Sequence, residues 1–319
     1  MVPLVLATLV FFCSSATQPM AQLTERPVTI VVPFTAGTGV DILARILAQE
    51  LQPRLQRSVM VENKPGASGN IGTLQVARAA PDGNTLLLTA PSHVISNLAP
   101  FRKFDFDPEK SFEPVNFMAK GALALTVNKA VGANSVTEYL TLVRANPGKF
   151  NYASTGPFSA QHLAMELFKE STQTNVVHVP YAGSAGAIQD IVAGHVQVMF
   201  MPLHTALPLV DNQPIRLLAI ASNQRSPLAP NVPTLAESGV RGAEVELWYG
   251  LLAPVGTPKE VVNRYNVLTA EILKLPKVRD DLGRQGLDIV GEGPEDFRSF
   301  ITSEVVRWER VVNNAGLIP

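Results

Sequence analysis

The sequence predicts an α/β protein of two lobes, in which each lobe is a mostly parallel sheet flanked by helices. Short apolar strands alternate with amphipathic helices along the chain, and this alternation is typical of α/β folds. The chain has 319 residues, which is more than one compact core usually holds, so two lobes are expected. Hydrophobic residues make up 46% of the chain and charged residues 17%, as in globular proteins with a substantial core.

The first lobe opens with the apolar strand VTIVV, from Val28 to Val32. Apolar side chains then recur at helical spacing between Ile42 and Leu55. The second strand is SVMVEN, the turn KPGASGNIG leads to the helix GTLQVARAA, and NTLLLTA is the third strand. This order of strand, helix, strand, helix and strand predicts parallel pairing.

A second unit of the same kind begins near Gly121. Its predicted strands are ALALTVN, FNYAS, VVHVPY, VQVMFM and IRLLAIAS, and its predicted helices are VTEYLTLVRANPG, SAQHLAMELFKEST and AGAIQDIVAGH. The chain then returns to the first unit through ELWYGLLAPVGTP and two helices, the last with an apolar stripe from Phe297 to Val312 that is expected to dock on the core. Lobe 1 is therefore predicted at 26–121 plus 225–319 and lobe 2 at 122–224, and a cleft between lobes is a common small-molecule site.

The N-terminal residues 1–21 are predicted to be a secretory signal peptide. Residues 2–12 are almost entirely apolar but too few to span a bilayer, and a small-residue site ends at Ala21. Cleavage there would remove Cys13, the one cysteine of the chain. The residues before Cys13 lack the small side chain that usually precedes a lipid-modified cysteine, so lipid anchoring is the less favoured alternative. We expect an exported protein without stable membrane insertion or cysteine chemistry.

The stretch PFTAGTGVDILAR joins the first strand to the first helix. The first N–H groups of a helix lack intrahelical partners and lie at the positive end of its dipole. Glycines such as Gly37 and Gly39 let a ligand approach that backbone, so the junction suits a carboxylate or a phosphate. Asp41 is equally compatible with capping the helix and with contacting a ligand amino group.

The same stretch also has part of a dinucleotide-binding pattern. GTGVDI follows G-x-G-x-x-G up to its third glycine, and Glu62 ends the next strand, where a ribose-binding acid would stand. Ile42 replaces the third glycine, and its bulk opposes the close helix–strand contact that the pattern needs. No G-K-[ST] follows, which excludes a P-loop. We therefore expect an anion site and no cofactor.

Two junctions in the second unit repeat this arrangement. YASTGPFSAQHLAMELF and PYAGSAGAIQD each run from a strand through a donor-rich loop into a helix. Their candidate donors are Ser154, Thr155, Gly156, Ser159, Tyr181, Gly183 and Ser184. Each could be an ordinary helix cap, but three such openings on one cleft would suit a ligand with more than one carboxylate.

Signals of catalysis or nucleic-acid binding are weak. The five histidines form no H-E-x-x-H motif or other metal spacing, and there is no G-x-S-x-G elbow. The rival function is an exported hydrolase of a carboxylated or ester substrate that uses Ser159 and His162. The formal net charge is −1 and no stretch is strongly basic, so nucleic acid is not an expected partner.

The chain resembles the Bug-type extracytoplasmic solute receptors, the substrate-binding components of tripartite tricarboxylate transporters. The matching stretches are RPVTIVVPFTAGTGVDILAR, VENKPGASGNIG, VARAAPDGNTLLL, YASTGPFSAQHLAMELF, HVPYAGSAGAIQDIVAGHVQVMF, VPTLAESG, GLLAPVGTP and FITSEVVRWERVVNNAG. The resemblance implies a type II periplasmic-binding-protein fold that closes like a Venus flytrap. It further implies a monomeric, non-enzymatic periplasmic receptor for a small carboxylated solute, with membrane transporter subunits as possible partners.

The resemblance also assigns ligand-binding positions. In the first loop they are Phe34, Thr35, Ala36, Gly37, Thr38, Gly39 and Asp41. In the segment APSHVIS they are Ser92, His93 and Ser96. In the second lobe they are Ser154, Thr155, Gly156, Phe158, Ser159, His162, Tyr181, Gly183 and Ser184.

Several positions depart from the family pattern. Thr38 and Phe158 stand where glycine is frequent, and Val40 stands where a small polar residue is common. Ser96 replaces an asparagine, and Met201 replaces a common acidic residue. These changes predict a bulkier, more apolar cleft, and therefore a ligand with an aromatic or long aliphatic body rather than a small amino acid.

Overall fold

The structure is a computed structural model that describes residues 26–95 and 104–314. The predicted signal peptide and Ser96 lie outside the described residues. In chain order the first elements are β1 (Val28–Val32), α1 (Gly39–Leu55), β2 (Val59–Asn63), α2 (Asn70–Ala77), β3 (Thr85–Thr89) and α3 (Ser92–Ile95). Strand β1 pairs in parallel with both β2 and β3, because the helices between these strands carry the chain back to the same edge of the sheet.

Strand β4 (Phe112–Asn128) is 17 residues long and belongs to both lobes. From Phe112 to Ala122 it pairs with β9 (Glu246–Pro254), and from Leu123 onward it pairs with β7 (Val198–Pro202). Pairing therefore changes partner at Ala122 and Leu123, next to the predicted lobe boundary. The chain returns between β8 and β9, where the Val245 amide donates to the Ala221 carbonyl oxygen at 2.8 Å.

Lobe 2, as named here, holds the elements between β4 and β9. They are α4 (Val136–Ala145), β5 (Asn151–Ser154), α5 (Ala160–Thr172), β6 (Val177–Pro180), α6 (Ser184–Ala193), β7, α7 (Leu203–Val210) and β8 (Ile215–Ile220). Strand β5 pairs in parallel with β6 and β7, as in the first lobe. The sequence did not predict α7, which follows β7 without a loop.

Lobe 1 is completed by the C-terminal part of the chain. After β9 come α8 (Lys259–Leu273), α9 (Pro276–Arg284), β10 (Leu287–Glu292) and α10 (Pro294–Asn314). The expectation of two helices here is wrong, since three helices and a strand are present. The expectation of mostly parallel sheets is also wrong, because β4 pairs antiparallel with β7, β8, β9 and β10, and β9 pairs antiparallel with β3. Each lobe therefore has a mixed sheet.

Helix α10 fixes the end of the described chain to lobe 1, and its predicted docking stripe is confirmed. Its most deeply buried members are Phe297, Ile301, Trp308 and Val312. Glu304 on the same helix is also buried, and its Oε2 accepts the indole N–H groups of Trp248 and Trp308 at 3.0 and 2.9 Å. A buried carboxylate needs such partners, and the bond from Trp248 links α10 to β9, while the bond from Trp308 lies within α10. Within the described residues no helix combines the length and apolarity needed to cross a bilayer.

Candidate functional site

Two adjoining chambers lie between the lobes. The larger encloses about 570 Å³ of space between protein atoms and the smaller about 310 Å³, mouths included. The residues that line both are Phe34, Thr38, Ser68, Thr155 and Ser184. Among the described residues that line either chamber, none is Asp, Glu, Lys or Arg. The two chambers share these walls and so form one cleft between the lobes.

Five helices of eight or more residues begin at this cleft. Residues from the first turn or the N-cap of α1, α2, α5, α6 and α7 line one of the two chambers. Of these helices, α1, α2, α6 and α7 begin without a hydrogen bond from the N-cap side chain to the first N–H groups of the helix. Each N-terminus carries roughly half a positive charge from the helix dipole. The helix N-termini therefore favour an anion in the cleft, although none of the described lining residues is Lys or Arg.

The first loop of lobe 1 is braced by Asp41. Its carboxylate accepts hydrogen bonds from the Gly37 amide, the Arg45 guanidinium and the Asn63 side chain, each at 2.9 Å. Burial alone would raise the Asp41 pKa, but these hydrogen bonds outweigh it and lower the pKa. Because the side chain is committed in this way, the structure places Asp41 in a supporting role beneath the loop rather than at the cleft surface.

The corresponding loop of lobe 2 is braced by two histidines. The Ser154 hydroxyl lies 2.7 Å from His178 Nε2 and accepts the Gly156 amide at 3.1 Å. His162 Nδ1 accepts the Phe158 amide at 3.2 Å, and the two imidazoles pack with centroids 4.3 Å apart and planes tilted by 34°. Burial lowers the pKa of each histidine to about 4, so both are neutral at pH 7, which lets Nδ1 of His162 accept that amide.

Phe158 adopts a backbone conformation that usually requires glycine. Its φ is +59°, in the left-handed region where bulky side chains are strained. The side chain is buried in lobe 2 against His162 rather than lining the cleft. Met201, a further departure from the family pattern, is likewise buried in the core of lobe 2. The expectation that these two side chains make the cleft bulkier is therefore wrong, and Val40 is the departure that adds an apolar wall.

The predicted site residues divide between the cleft surface and its support. Those that line a chamber are Phe34, Thr35, Thr38, Gly39, Ser92, Thr155, Ser159, Gly183 and Ser184. Those that the structure places outside both linings are Ala36, Gly37, Asp41, His93, Ser154, Gly156, Phe158, His162 and Tyr181. Ala36 and Gly37 are exposed.

His93 and Tyr181 face other partners. His93 Nε2 lies 3.2 Å from the Pro108 carbonyl oxygen, and its buried ring packs against Phe112 with centroids 5.0 Å apart. Burial lowers the pKa of His93 to about 4. The Tyr181 hydroxyl donates to Asp190 at 2.5 Å on α6, and burial together with that carboxylate raises the Tyr181 pKa to about 12.

Sequence reasoning missed several lining residues. Those with polar groups are Ser68, Gln161, His204, Thr205 and Tyr249. Ser68 lies within the glycine-rich turn that the sequence singled out, and Gln161 follows the cap Ser159, so both had a local signal. His204 and Tyr249 belong to α7 and β9, where no loop or motif marks them.

The lobes touch each other across the cleft, so the structure is a closed form. The Ser68 hydroxyl of lobe 1 donates to the Pro157 carbonyl oxygen of lobe 2 at 2.8 Å. A methyl group at Gly156 would come within 2.9 Å of the same hydroxyl oxygen, and one at Gly39 would come within 2.7 Å of the His204 ring. Glycine at these two positions is what allows the approach.

The geometry does not assemble a hydrolytic site from Ser159 and His162. The Ser159 hydroxyl oxygen accepts the His162 backbone amide at 3.3 Å as an ordinary helix cap. The imidazole Nδ1 is occupied by the Phe158 amide, so the ring does not serve as base to that hydroxyl. Among the described residues no group of three or more His, Cys, Asp or Glu side chains could hold a metal ion.

Two mixed-sheet α/β lobes closed over one cleft define the class of solute-binding proteins. A family model described as "Tripartite tricarboxylate transporter family receptor" matches residues 43–317. The chain therefore belongs to this TctC family of receptors, which is a family of binding proteins and not of enzymes.

Solved structures support the same assignment. The periplasmic binding protein BugD is 33% identical, with a TM-score of 0.85 over 92% of this chain and 99% of BugD. A protein of R. palustris solved with adipate is 35% identical, with a TM-score of 0.87 over 91% of this chain and 97% of that one. MatC from Rhodopseudomonas palustris, solved with bound malate, is 31% identical, with a TM-score of 0.84 over 90% of this chain and 98% of that one. The predicted periplasmic-binding-protein fold is thereby confirmed.

Proposed function

We propose that this receptor captures a small carboxylated solute in the periplasm by lobe closure and delivers it to the membrane subunits of a tripartite transporter. The observation that carries the proposal is the convergence of five helix N-termini on one cleft whose described lining residues include no Asp, Glu, Lys or Arg. An anion is the ligand that such a cleft stabilises, because open N–H groups and dipole ends act together. BugD, named as a periplasmic binding protein, supports the location.

The carboxylate is placed where the two chambers meet. Thr38 and Ser184 lie at the starts of α1 and α6, on opposite lobes, and both line both chambers. The Ser159 hydroxyl accepts a hydrogen bond from within the protein, so its own proton is available to a ligand oxygen. The Gly39 and Gly183 backbones allow close approach at the same helix starts. The remaining predicted site residues act by holding these loops in position.

The body of the ligand occupies the larger chamber. Its apolar walls include Val40, Ala160, Pro202 and Leu247. The sequence-based expectation of a long aliphatic or aromatic body therefore finds support in these residues. The six-carbon diacid adipate and the four-carbon diacid malate in the two R. palustris relatives set the scale of the solutes to be tested.

Closure links binding to stability. A ligand that contacts both lobes binds the closed form and stabilises the folded protein, by about 2.7 kcal/mol at a ligand concentration a hundredfold above Kd. The Ser68–Pro157 hydrogen bond is one of the contacts that form with closure. An open, ligand-free receptor would lack it.

Calorimetric titration with adipate and with its diamide tests the proposal. The two compounds have the same chain length, but only adipate is an anion. We expect measurable binding and a raised melting temperature with adipate or with other carboxylic acids of this length, and none with their amides. Equal binding of acid and amide, or hydrolysis of an ester analogue that Ser159→Ala abolishes, would contradict the receptor function.

Delivery to a transporter needs a separate test. The purified, ligand-loaded receptor should exchange its radiolabelled acid into membrane vesicles that contain the cognate transporter subunits. Vesicles without those subunits are the control. Uptake that does not depend on the receptor would contradict this part of the proposal.

A further inference from the structure

His204 and Tyr249, called the pair below, line the larger chamber and have no hydrogen-bond partner among the described residues. His204 lies at the start of α7 in lobe 2, Tyr249 lies on β9 in lobe 1, and they are 8% and 2% exposed. Both face the first residue of α1, because a methyl group at Gly39 would be 2.8 Å from His204 Nε2 and 3.1 Å from the Tyr249 hydroxyl oxygen. Buried polar groups are normally paired, so a ligand atom beside Gly39 is the partner that both side chains lack.

Two other hydroxyl groups of the same chamber already donate within the protein. The Thr38 hydroxyl donates to the Thr35 carbonyl oxygen at 3.0 Å, and the Thr155 hydroxyl donates to the Gln161 side-chain oxygen at 3.0 Å. Each hydroxyl has a single proton, so neither can also donate to a ligand. The protons of the pair are not committed in this way.

The pair offers two donors and no charge at neutral pH. Burial lowers the pKa of His204 to about 4, so its imidazole is neutral and keeps one N–H group. Burial raises the pKa of Tyr249, so its phenol keeps its proton. A carboxylate only accepts hydrogen bonds, and its two oxygens can accept from several donors at once. One carboxylate beside Gly39 therefore satisfies both side chains and the open N–H groups at the start of α1.

From this geometry we infer that His204 and Tyr249 are the side-chain donors that bind the ligand carboxylate beside Gly39, one from each lobe. The inference deepens the proposed function and rests on it, since that function supplies the carboxylate and assigns it to main-chain donors at the helix starts. The pair adds two donors from opposite lobes that face one point in the closed form. Loss of one hydrogen bond to a charged group typically lowers affinity by about 10- to 100-fold.

Hexanoate and adipate test by calorimetry which end of the ligand the pair contacts. Both acids have six carbons and a carboxylate at one end, and they differ at the other end, which is a methyl group in hexanoate and a second carboxylate in adipate. If the pair binds the shared carboxylate, removal of either donor should weaken the binding of both acids. If the pair faced the other end, hexanoate binding would not change.

The variant Tyr249→Phe removes only the phenolic hydroxyl. We expect it to bind hexanoate and adipate each about tenfold or more weakly than the parent protein. Tyr139→Phe is the matched control, because Tyr139 is a fully buried tyrosine of lobe 2 whose hydroxyl has no partner among the described residues and which does not line the cleft. We expect its affinities to stay within twofold of the parent values.

Two replacements of His204 separate the loss of its donor from the loss of its ring. Methionine and glutamine both have unbranched side chains of similar length, but only glutamine has N–H donors. We expect His204→Met to bind both acids about tenfold or more weakly and His204→Gln to recover part of that loss. Equal affinities of these two variants would count against a donor role. Melting temperatures without ligand confirm that each variant folds.

The outcomes separate the inference from the proposed function. If the parent protein binds both acids and Tyr249→Phe keeps its affinity for hexanoate within twofold, the inference is overturned and the receptor function stands. If the parent protein binds neither acid, or binds hexanamide as tightly as hexanoate, both fail. Weaker binding of both acids by Tyr249→Phe and His204→Met, with no change in Tyr139→Phe, supports the inference.

Discussion

Replacement of Gly39 by alanine should weaken ligand binding without destabilising the ligand-free protein. The added methyl group would lie 2.7 and 2.8 Å from two atoms of the His204 ring, well inside ordinary van der Waals contact. Gly39 belongs to lobe 1 and His204 to lobe 2, so the overlap exists only when the lobes are closed. His204 could escape by reopening the cleft or by turning into the chamber that the ligand occupies, and either movement weakens binding.

The size of the effect follows from this overlap. Overpacking of a well-packed contact costs about 1–3 kcal/mol, which is roughly a 5- to 150-fold loss of affinity. Stability of the ligand-free protein should change little, because alanine is a better helix former than glycine and Gly39 has an ordinary helical backbone, which offsets the tight 3.1 Å contact of the methyl group with the Tyr249 hydroxyl oxygen in the same lobe. Gly283→Ala in α9 is the matched control, since a methyl group there would meet no atom within 4 Å.

Calorimetry with the tightest-binding six-carbon acid measures the affinity. Urea unfolding without ligand measures the stability of the free protein. We expect weaker binding and unchanged or higher stability for Gly39→Ala, and unchanged binding for Gly283→Ala. Binding within twofold of the parent protein by Gly39→Ala would refute the closed geometry. Equal losses of stability and affinity would show that the methyl group disturbs the fold instead.

Three further predictions concern closure, the core and pH. Ser68→Ala removes the hydrogen bond between the lobes and should speed ligand release by about two- to tenfold in stopped-flow experiments, with the unfolding of the ligand-free protein unchanged; an unchanged release rate would count against this bond. Glu304→Ala leaves two buried indole N–H groups unpaired and should lower the free energy of unfolding, measured in urea, by about 2–4 kcal/mol. Glu304→Gln keeps an acceptor and should lower it by less. Equal destabilisation by the two variants would contradict the role of Glu304 as acceptor. The buried histidines His93, His162 and His204 have pKa values near 4 in the folded protein against 6.5 in the unfolded chain, so the unfolded state binds more protons between those values. The free energy of unfolding should therefore fall as pH is lowered from 7 to 5, by about 2 kcal/mol for each of them, and a flat profile would contradict their neutral burial.

The strand-to-helix junctions were predictable because their signals are local. The strand Val28–Val32 and the start of α1 at Gly39 followed from an apolar run, two glycines and helical periodicity. The same signals located the loop before α5 and the cap at Ser159. Backbone donors at helix starts need no particular side chain, so a cleft made of them can be inferred from sequence.

The sequence predicted only the second half of the long strand β4, ALALTVN, and its first half could not be predicted from the sequence pattern. Residues 112–121 include Pro114 and several polar or small side chains, and the pairing with β9 is interrupted by two register shifts between Pro114 and Ala119. Both faces of this strand are nearly buried, so it lacks the alternation of a half-exposed strand. The antiparallel pairing that makes each sheet mixed depends on this strand.

Long-range contacts explain the remaining errors. His204 and Tyr249 are 45 positions apart in sequence, and only the folded chain brings them together, where His204 on α7 and Tyr249 on β9 both lie beside Gly39. Phe158 was expected in the cleft because it occupies a loop position of the family. Its left-handed backbone directs the side chain into lobe 2 instead, where burial compensates for strain.

The most direct measurement is an amide NMR titration of the isotope-labelled protein with the tightest-binding acid. If main-chain donors of both lobes hold the carboxylate, the largest shifts should fall on the backbone amides at the starts of α1 and α6, near Gly39 and Ser184. Saturable binding that leaves both sets of amides unshifted would contradict the account.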